Sequence, residues 1–544
     1  MTLFREGMRK ISAFMLACTV VALIMLPGTS SAGAATNTAQ EGNCPTTPQE
    51  TQYPKRQLRG AWIATVTNID WPSQPGLSID TQKQQFISEL DQLQALHMNA
   101  VFVQVRPTMD AFYPSKYVPW SQYLTGVQGK DPGYDPLAFM LAETHKRNME
   151  FHAWFNPYRV SLQTDVTKLA PNNPARLHPD WVVKYGSGLY FDPGIPAARE
   201  FIVQSILEAV RNYDIDGVHF DDYFYPYPIA GQDFPDNATY QQYGAATFAN
   251  KADWRRNNIS KLIHELSEQI KDIKPYVKFG VSPFGVWRNQ SDDPTGSATT
   301  AGATDYDSLY ADTRTWIKNN WLDYIAPQIY WNIGFAPAAY DILVPWWVNE
   351  VKGSNVDLYI GQAAYKINAN NAVWANPEEM PNQLKLNLQY SQVKGSIFFS
   401  MKEITANPLG FTDRLKNDIY RYPALVPTMP WLGGHAPEPV NLKQTDQQAN
   451  GVQLTWFTPR NSNATYYAVY RFDGRVEHNT CDFNNAQYML ATVHRTADDA
   501  TTQTFVDTTA QAGQTYTYYV TALDRLHNES NPGHGQTIVL ASQQ

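Results

Sequence analysis

The chain has 544 residues, of which 43% are hydrophobic, 17% charged and 13% aromatic. It is too long for one ordinary domain and too apolar for a disordered chain. The formal net charge of −9 comes without a long basic run, which argues against nucleic acid as a partner. Three cysteines, Cys18, Cys44 and Cys481, exclude a disulfide scaffold and a CxxC-type zinc site.

Residues 1–34 read as a secretory signal peptide. Arg5, Arg9 and Lys10 precede an apolar run over 11–26, and Ala32-Gly33-Ala34 supplies a small-residue cleavage site. The alternatives are an uncleaved anchor, for which the run is short against the ~20 residues a spanning helix needs, and lipidation at Cys18, which sits inside the run rather than at its end. Cleavage removes three bases and one acid and leaves a net charge of −11. The expected location is therefore secreted or cell-envelope, with no membrane association after cleavage. Cys44 and Cys481 then remain; their positions in the sequence do not show whether they meet.

Residues 35–56 are polar and read as a linker. From there to residue 425, short β-rich runs alternate with amphipathic segments. The runs are 59–66 (RGAWIATV), 99–105 (NAVFVQV), 150–155 (EFHAWF), 215–220 (IDGVHF), 277–282 (VKFGVS), 324–330 (YIAPQIY), 356–361 (VDLYIG) and 395–400 (GSIFFS). Helical spacing of apolar residues occurs over 81–96, 197–210 and 254–273. Eight strands with helices between them predict an α/β fold, a (β/α)8 TIM-type barrel over 57–425. A doubly wound open sheet is the rival, but no Gly-rich phosphate loop follows the first strand.

A Pro/Gly-rich stretch, YPALVPTMPWLGGHAPEP, begins at Tyr422; residues 426–438 read as a linker with few packed contacts. Residues 439–541 then take an all-β rhythm, with strands expected over 452–456, 466–472, 504–506 and 516–523. This predicts a small immunoglobulin-like sandwich. Its stretch TYTYYVTALD, followed by NESNP, resembles the penultimate strand and final turn of a fibronectin type III domain. Such a unit is expected to be separable from catalysis.

Barrel active sites form at the carboxyl ends of the strands. Read that way, the candidate binding residues are Arg106 after the second strand and Trp154, Asn156 and Arg159 at the third. The fourth contributes His219 and Tyr223, the loop after the fifth Trp287, and the sixth Gln328, Tyr330 and Trp331. Asp192, in the turn Phe191-Asp192-Pro193-Gly194, is a second carboxylate of the site or a turn former. Strand alternation puts His219 and Asp221 on the inward face and Asp222 on the other, unless the strand has already ended. Asp221 and Asp222 are the candidate catalytic residues; the bland reading of Asp221 is a structural carboxylate paired with Arg106 or Arg159. His219 also fits a buried, hydrogen-bonded histidine. Trp62, Trp154, Trp287 and Trp331 offer flat faces to sugar rings, or belong to the core. Carboxylates among aromatic rings fit glycoside cleavage, which needs a carboxyl group at the scissile bond and no cofactor or metal.

Several motifs carry a resemblance: residues 58–66 (LRGAWIATV), DWP at 70–72, HAWFNPYR at 152–159, DGVHFDDYFY at 216–225 and APQIYW at 326–331. Together they resemble the glycosyl-hydrolase-like 10 family of bacterial envelope proteins, over roughly residues 58–423. KADWRRNN at 251–258 is especially similar to its DigH-type members. The resemblance implies a barrel, glycosidase activity and a glycan partner, peptide-free peptidoglycan strands; the C-terminal sandwich is outside the DigH-type pattern. Residues 216–221 also resemble the D-G-x-D-x-D strand of family-18 chitinases, but Tyr223 stands where their acidic glutamate would be. Two other functions stay open: a non-catalytic glycan-binding protein, and a metal-dependent polysaccharide deacetylase. The deacetylase would want an H-x-x-x-H pair, and the chain has none.

Overall fold

The structure is a computed structural model that describes residues 44, 46–475, 477–497 and 500–541. The signal peptide expected over 1–34 lies outside the described residues. Among the described residues, no helix is long and apolar enough to cross a membrane.

All eight expected barrel strands form: β1 Leu58–Ile63, β2 Ala100–Arg106, β3 Glu150–Phe155, β4 Gly217–Phe220, β5 Lys278–Val281, β6 Tyr324–Ile325, β7 Asp357–Gln362 and β8 Val393–Phe398. They lie side by side in chain order, all parallel, and β1 closes the ring against β8. Closure rules out the open sheet. A helix follows each strand: α1 Ile79–Ala95, α2 Pro136–His145, α3 Pro196–Asn212, α4 Lys251–Ile273, α5 Thr313–Lys318, α6 Tyr340–Val351, α7 Glu379–Asn387 and α8 Met401–Ala406. The Ser78 side chain caps the start of α1 by accepting from Thr81 N, and Phe86, Leu90 and Leu93 form its buried stripe.

Strand alternation separates two cores. Val101, Val103, Phe151, Val218, Phe220 and Ile360 face the helices. Phe102, Trp154, Tyr324, Tyr359 and Ile397 fill the barrel interior. Bulky interior rings need room, and glycines supply it. A Cβ on Gly217 would lie 2.3 Å from His152 Nδ1, and one on Gly280 would lie 2.2 Å from the Tyr324 ring. Between β3 and α3 the chain also builds a small antiparallel sheet from Arg159–Ser161, Val182–Tyr185 and Gly188–Phe191 at the barrel's upper rim.

The C-terminal unit has β9 Leu442–Gln448, β10 Gly451–Phe457, β11 Tyr466–Asp473, β12 Met489–His494, β13 Thr502–Asp507, β14 Thr515–Leu523 and β15 Gln536–Val539. They form antiparallel sheets in the orders β9-β10-β13 and β12-β11-β14-β15. Leu454 and Trp456 of the first share a core with Tyr467, Val469, Tyr518 and Val520 of the second.

The Pro/Gly-rich stretch departs from the expectation of few packed contacts. Val426 and Met429 are buried in the barrel's interior cluster, and the Trp431 indole donates to Asp323 at 3.0 Å. Trp431, Val426 and Met429 thus close the end of the barrel where the strands begin. The sandwich continues that closure. Arg525 pairs with Asp214 and Asp216, and Glu529 with Lys55 and Arg56, while Asn148 donates to Thr492 O. Proline-rich composition suggested a free linker, but the apolar Val426 and Met429 bury its first part in the barrel interior, while Gly433, Gly434, His435 and Glu438 are exposed. Cys44 and Cys481 do meet, in a disulfide with Cα atoms 5.5 Å apart.

Candidate active site

The carboxyl ends of the strands surround a cavity of about 400 Å³. Asp221 and Asp222 lie in it, both buried. β4 ends at Phe220, so the alternation that would have sent Asp222 outward no longer applies, and both carboxylates reach the same space.

Each carboxylate has its own donors. Asn156 Nδ2 reaches Asp221 Oδ1 at 2.7 Å and Oδ2 at 2.8 Å, and Tyr223 N donates to Oδ1 at 3.3 Å. Asn156 is itself fixed: its Oδ1 accepts from Gln104 Nε2 at 2.6 Å and from Arg159 Nη2 at 2.8 Å. An arginine nitrogen can only donate, so the amide can face only one way. Asp222 accepts from the Tyr227 hydroxyl and, at 3.1 Å, from Gln328 Nε2.

Burial pushes the Asp221 carboxyl up to about 7, and the adjacent Asp222 charge adds to the rise. The Arg159 guanidinium and the Asn156 amide oppose it. Burial raises Asp222 as well, against its Tyr227 and Gln328 bonds. Two neighbouring carboxylates away from water resist joint ionisation, so the pair keeps a proton near neutrality. Such a pair can give a proton to a bound group while its second member remains an anion.

Around the carboxylates stand Trp62, Trp154, Tyr223, Tyr330, Trp331 and Phe399, with Arg159 and Lys366 as the basic side chains. Thus Asp221, Asp222, Trp154, Arg159, Tyr223, Gln328, Tyr330 and Trp331 all line the cavity, as expected from their places at strand ends. Asn156 stands directly behind Asp221. His219 points inward but lies beneath Trp62, bonded to it and to Tyr324.

Three expected residues are elsewhere. Arg106 would face inward by strict alternation, but a bulge between Gln104 and Arg106 shifts the register against β3. The extra residue reverses the parity. The Arg106 guanidinium therefore sits outside the barrel, bonded to Ser205 of α3 and 5.5 Å from the Phe155 ring centre. Asp192 is a turn former: it accepts from Gly194 N at 2.9 Å and from the Thr239 hydroxyl. Trp287 stacks on Trp346 with ring centres 5.9 Å apart, under the Arg314 guanidinium, and lines no part of this cavity. The stretch 251–258 is likewise remote from the cavity: it opens α4, where Arg255 is clamped by Asp236 and Asp233.

Sequence reasoning passed over Gln104, Ser282, Tyr227, Lys366 and Phe399, which also line the cavity. Gln104 could have been found, since it shares the face of Phe102 two residues before it. Tyr227 lies in a loop, where no periodicity points to Asp222. Among the described residues, no group of three or more His, Cys, Asp or Glu side chains is placed to hold a metal ion.

Residues 57–376 match the family described as glycosyl hydrolase-like 10. The chain is 58% identical over 482 residues to the glycosyl hydrolase YngK of Bacillus subtilis (strain 168), spanning 87% of this chain and 92% of that protein. It is 46% identical over 374 residues to the glycosyl hydrolase DigH of Escherichia coli (strain K12), spanning 65% of this chain and 84% of that one. Among solved structures, it is similar to the glycoside hydrolase domain of PgaB (BpsB) from Bordetella bronchiseptica. That likeness has 14% identity and a TM-score of 0.43, over 66% of this chain and 98% of that one.

Proposed function

We propose, for a chain that belongs to the glycosyl hydrolase-like 10 family and is a glycoside hydrolase, a narrower activity: cleavage of N-acetylated cell-wall glycan as peptide-free peptidoglycan strands. The observation that carries the chemistry is Asp221, a carboxyl raised to about 7 on the wall of a cavity lined with aromatic rings. In this reading the protonated Asp221 gives its proton to the glycosidic oxygen as the bond to the anomeric carbon breaks. Asp222, held by Tyr227 and Gln328, faces the positive charge that develops on the sugar and takes a proton from the incoming water. Trp62, Trp154 and Trp331 offer apolar faces to the sugar rings.

The substrate class is supported by the resemblance of the chain's motifs to envelope glycosidases. A disulfide joining Cys44 to Cys481 supports export, because such bonds persist in oxidising compartments. The strand composition of the C-terminal unit, three against four, is consistent with a fibronectin type III-like sandwich.

The test is incubation of the full-length protein with purified peptide-free glycan strands, followed by chromatography of the products. Shortened glycans are expected. Acetate released from uncut strands would make the protein a deacetylase, and binding without any product would make it a glycan-binding protein; either would overturn the proposal.

A further inference from the structure

A single file of polar groups runs from the cavity down through the barrel interior. Trp62, whose ring lines the cavity, donates from Nε1 to His219 Nε2 at 3.0 Å. His219 Nδ1 lies 3.1 Å from the Tyr324 hydroxyl, which lies 3.0 Å from His152 Nδ1. His152 Nε2 lies 3.0 Å from Glu150 Oε2. Every member from Trp62 to Glu150 is buried.

The chemistry of one end settles every proton. An indole nitrogen can only donate, so His219 Nε2 accepts and its proton sits on Nδ1. Burial keeps His219 neutral, holding it well below its usual range. Its Nδ1–H is then donated to the Tyr324 oxygen. The one phenolic proton is left for His152 Nδ1, and His152 donates from Nε2 to the Glu150 carboxylate. All four bonds point the same way, from the cavity toward the strand beginnings. Glu150 is anchored by Lys278 at 2.5 Å and, at 3.2 Å, by His527 Nε2 of the C-terminal sandwich. The glycines at 217 and 280 leave the space that His152 and Tyr324 occupy.

We propose that His219, Tyr324 and His152 are positioning residues that hold the Trp62 indole in the sugar cavity through this one-way chain, anchored on Glu150 and closed from the sandwich by His527. The proposal rests on reading the cavity as the glycan site. Its physical basis is that no link can reverse alone. Cutting one leaves a buried donor without its acceptor, so the His219 ring shifts to find another and its Nε2 no longer meets the Trp62 indole squarely. The indole N–H is buried beside the cavity floor, where an unpaired donor is costly, so the ring turns away from the orientation that meets the sugar.

The test uses full-length protein with ¹⁵N-labelled tryptophan indoles, the Trp62 signal being assigned by its loss in Trp62→Phe. Tyr324→Phe removes one hydroxyl. It is expected to move the Trp62 Nε1–H signal upfield and to speed its solvent exchange at least about tenfold. His152→Leu, one link further from the cavity, should reproduce the shift and serves if Tyr324→Phe fails to fold. On glycan strands, Tyr324→Phe should raise KM about fivefold, the weight of one hydrogen bond, with kcat within about twofold. In a Trp62→Phe background it should add nothing. An unmoved Trp62 signal in a folded variant, or the full KM effect persisting without Trp62's indole, would overturn the proposal. If the signal moves as expected but even the unmodified protein does not act on glycan strands, the positioning chain stands and the substrate reading fails.

Discussion

Replacing Asp221 by asparagine should destroy activity and, at alkaline pH, stabilise the fold. The carboxyl moves from an ordinary 3.8 to about 7 on folding, chiefly through burial. At 1.36 kcal/mol per pH unit, keeping it ionised in the folded protein costs about 4 kcal/mol. Its folded pKa is the higher one, so its stabilising contribution is full below about pH 4 and is lost as the pH rises through about 7. An asparagine carries no charge and avoids the alkaline loss. It does present an N–H to the Asn156 amide, which now donates to both carboxylate oxygens, and that mismatch costs about 1 kcal/mol. The net expectation for Asp221→Asn is a gain of about 3 kcal/mol at pH 8.5 that disappears, or turns to a small loss, near pH 4. Turnover on glycan strands should fall at least about 10²-fold, the low end for losing an acid–base group. Urea unfolding across this pH range, paired with product chromatography, reads both quantities. A variant less stable than its parent at pH 8.5 would refute the burial argument, and normal turnover would refute the assignment of the proton to Asp221.

In the unmodified enzyme, kcat/KM should fall as the pH rises through about 7, where Asp221 loses its proton. Asn156→Ala removes the donor that favours the Asp221 anion, so this alkaline limb should move to higher pH; a limb that stays in place would detach Asn156 from the carboxyl it touches. Gly280→Ala puts a Cβ 2.2 Å from the Tyr324 ring, and the overpacking should cost about 1–3 kcal/mol in urea unfolding; an unchanged midpoint would mean that the barrel interior yields freely. Dialysis against a chelator should leave turnover unchanged, and loss restored by zinc would revive the deacetylase.

The sequence by itself determined the barrel. Eight β-rich runs, spaced by helical patterns, state their identity locally, because alternation and the 3.6-residue repeat are properties of neighbours along the chain. The same alternation, with the rule that barrel sites form at strand ends, singled out Asp221, and the strand-end rule alone singled out Trp154, Gln328 and Tyr330; all four line one cavity. Alternation failed where a single residue changed the count. The bulge before Arg106 turned that side chain outward and left Gln104 at the site; for Asp222 the outward parity held only if the strand continued, and β4 ends at Phe220, which brings Asp222 in beside Asp221. Only the tertiary structure decided what depends on residues far apart in the chain: the Asn156 clamp, the raised carboxyl, the Cys44–Cys481 bond, and the file from Trp62 to Glu150. The same holds for the closure of the barrel by Val426, Met429 and the sandwich, which a proline-rich stretch made to look like a free tether. Local periodicity records which face of an element is apolar, whereas hydrogen-bond partners and burial are set by which faces meet, and that is decided only when the ring closes.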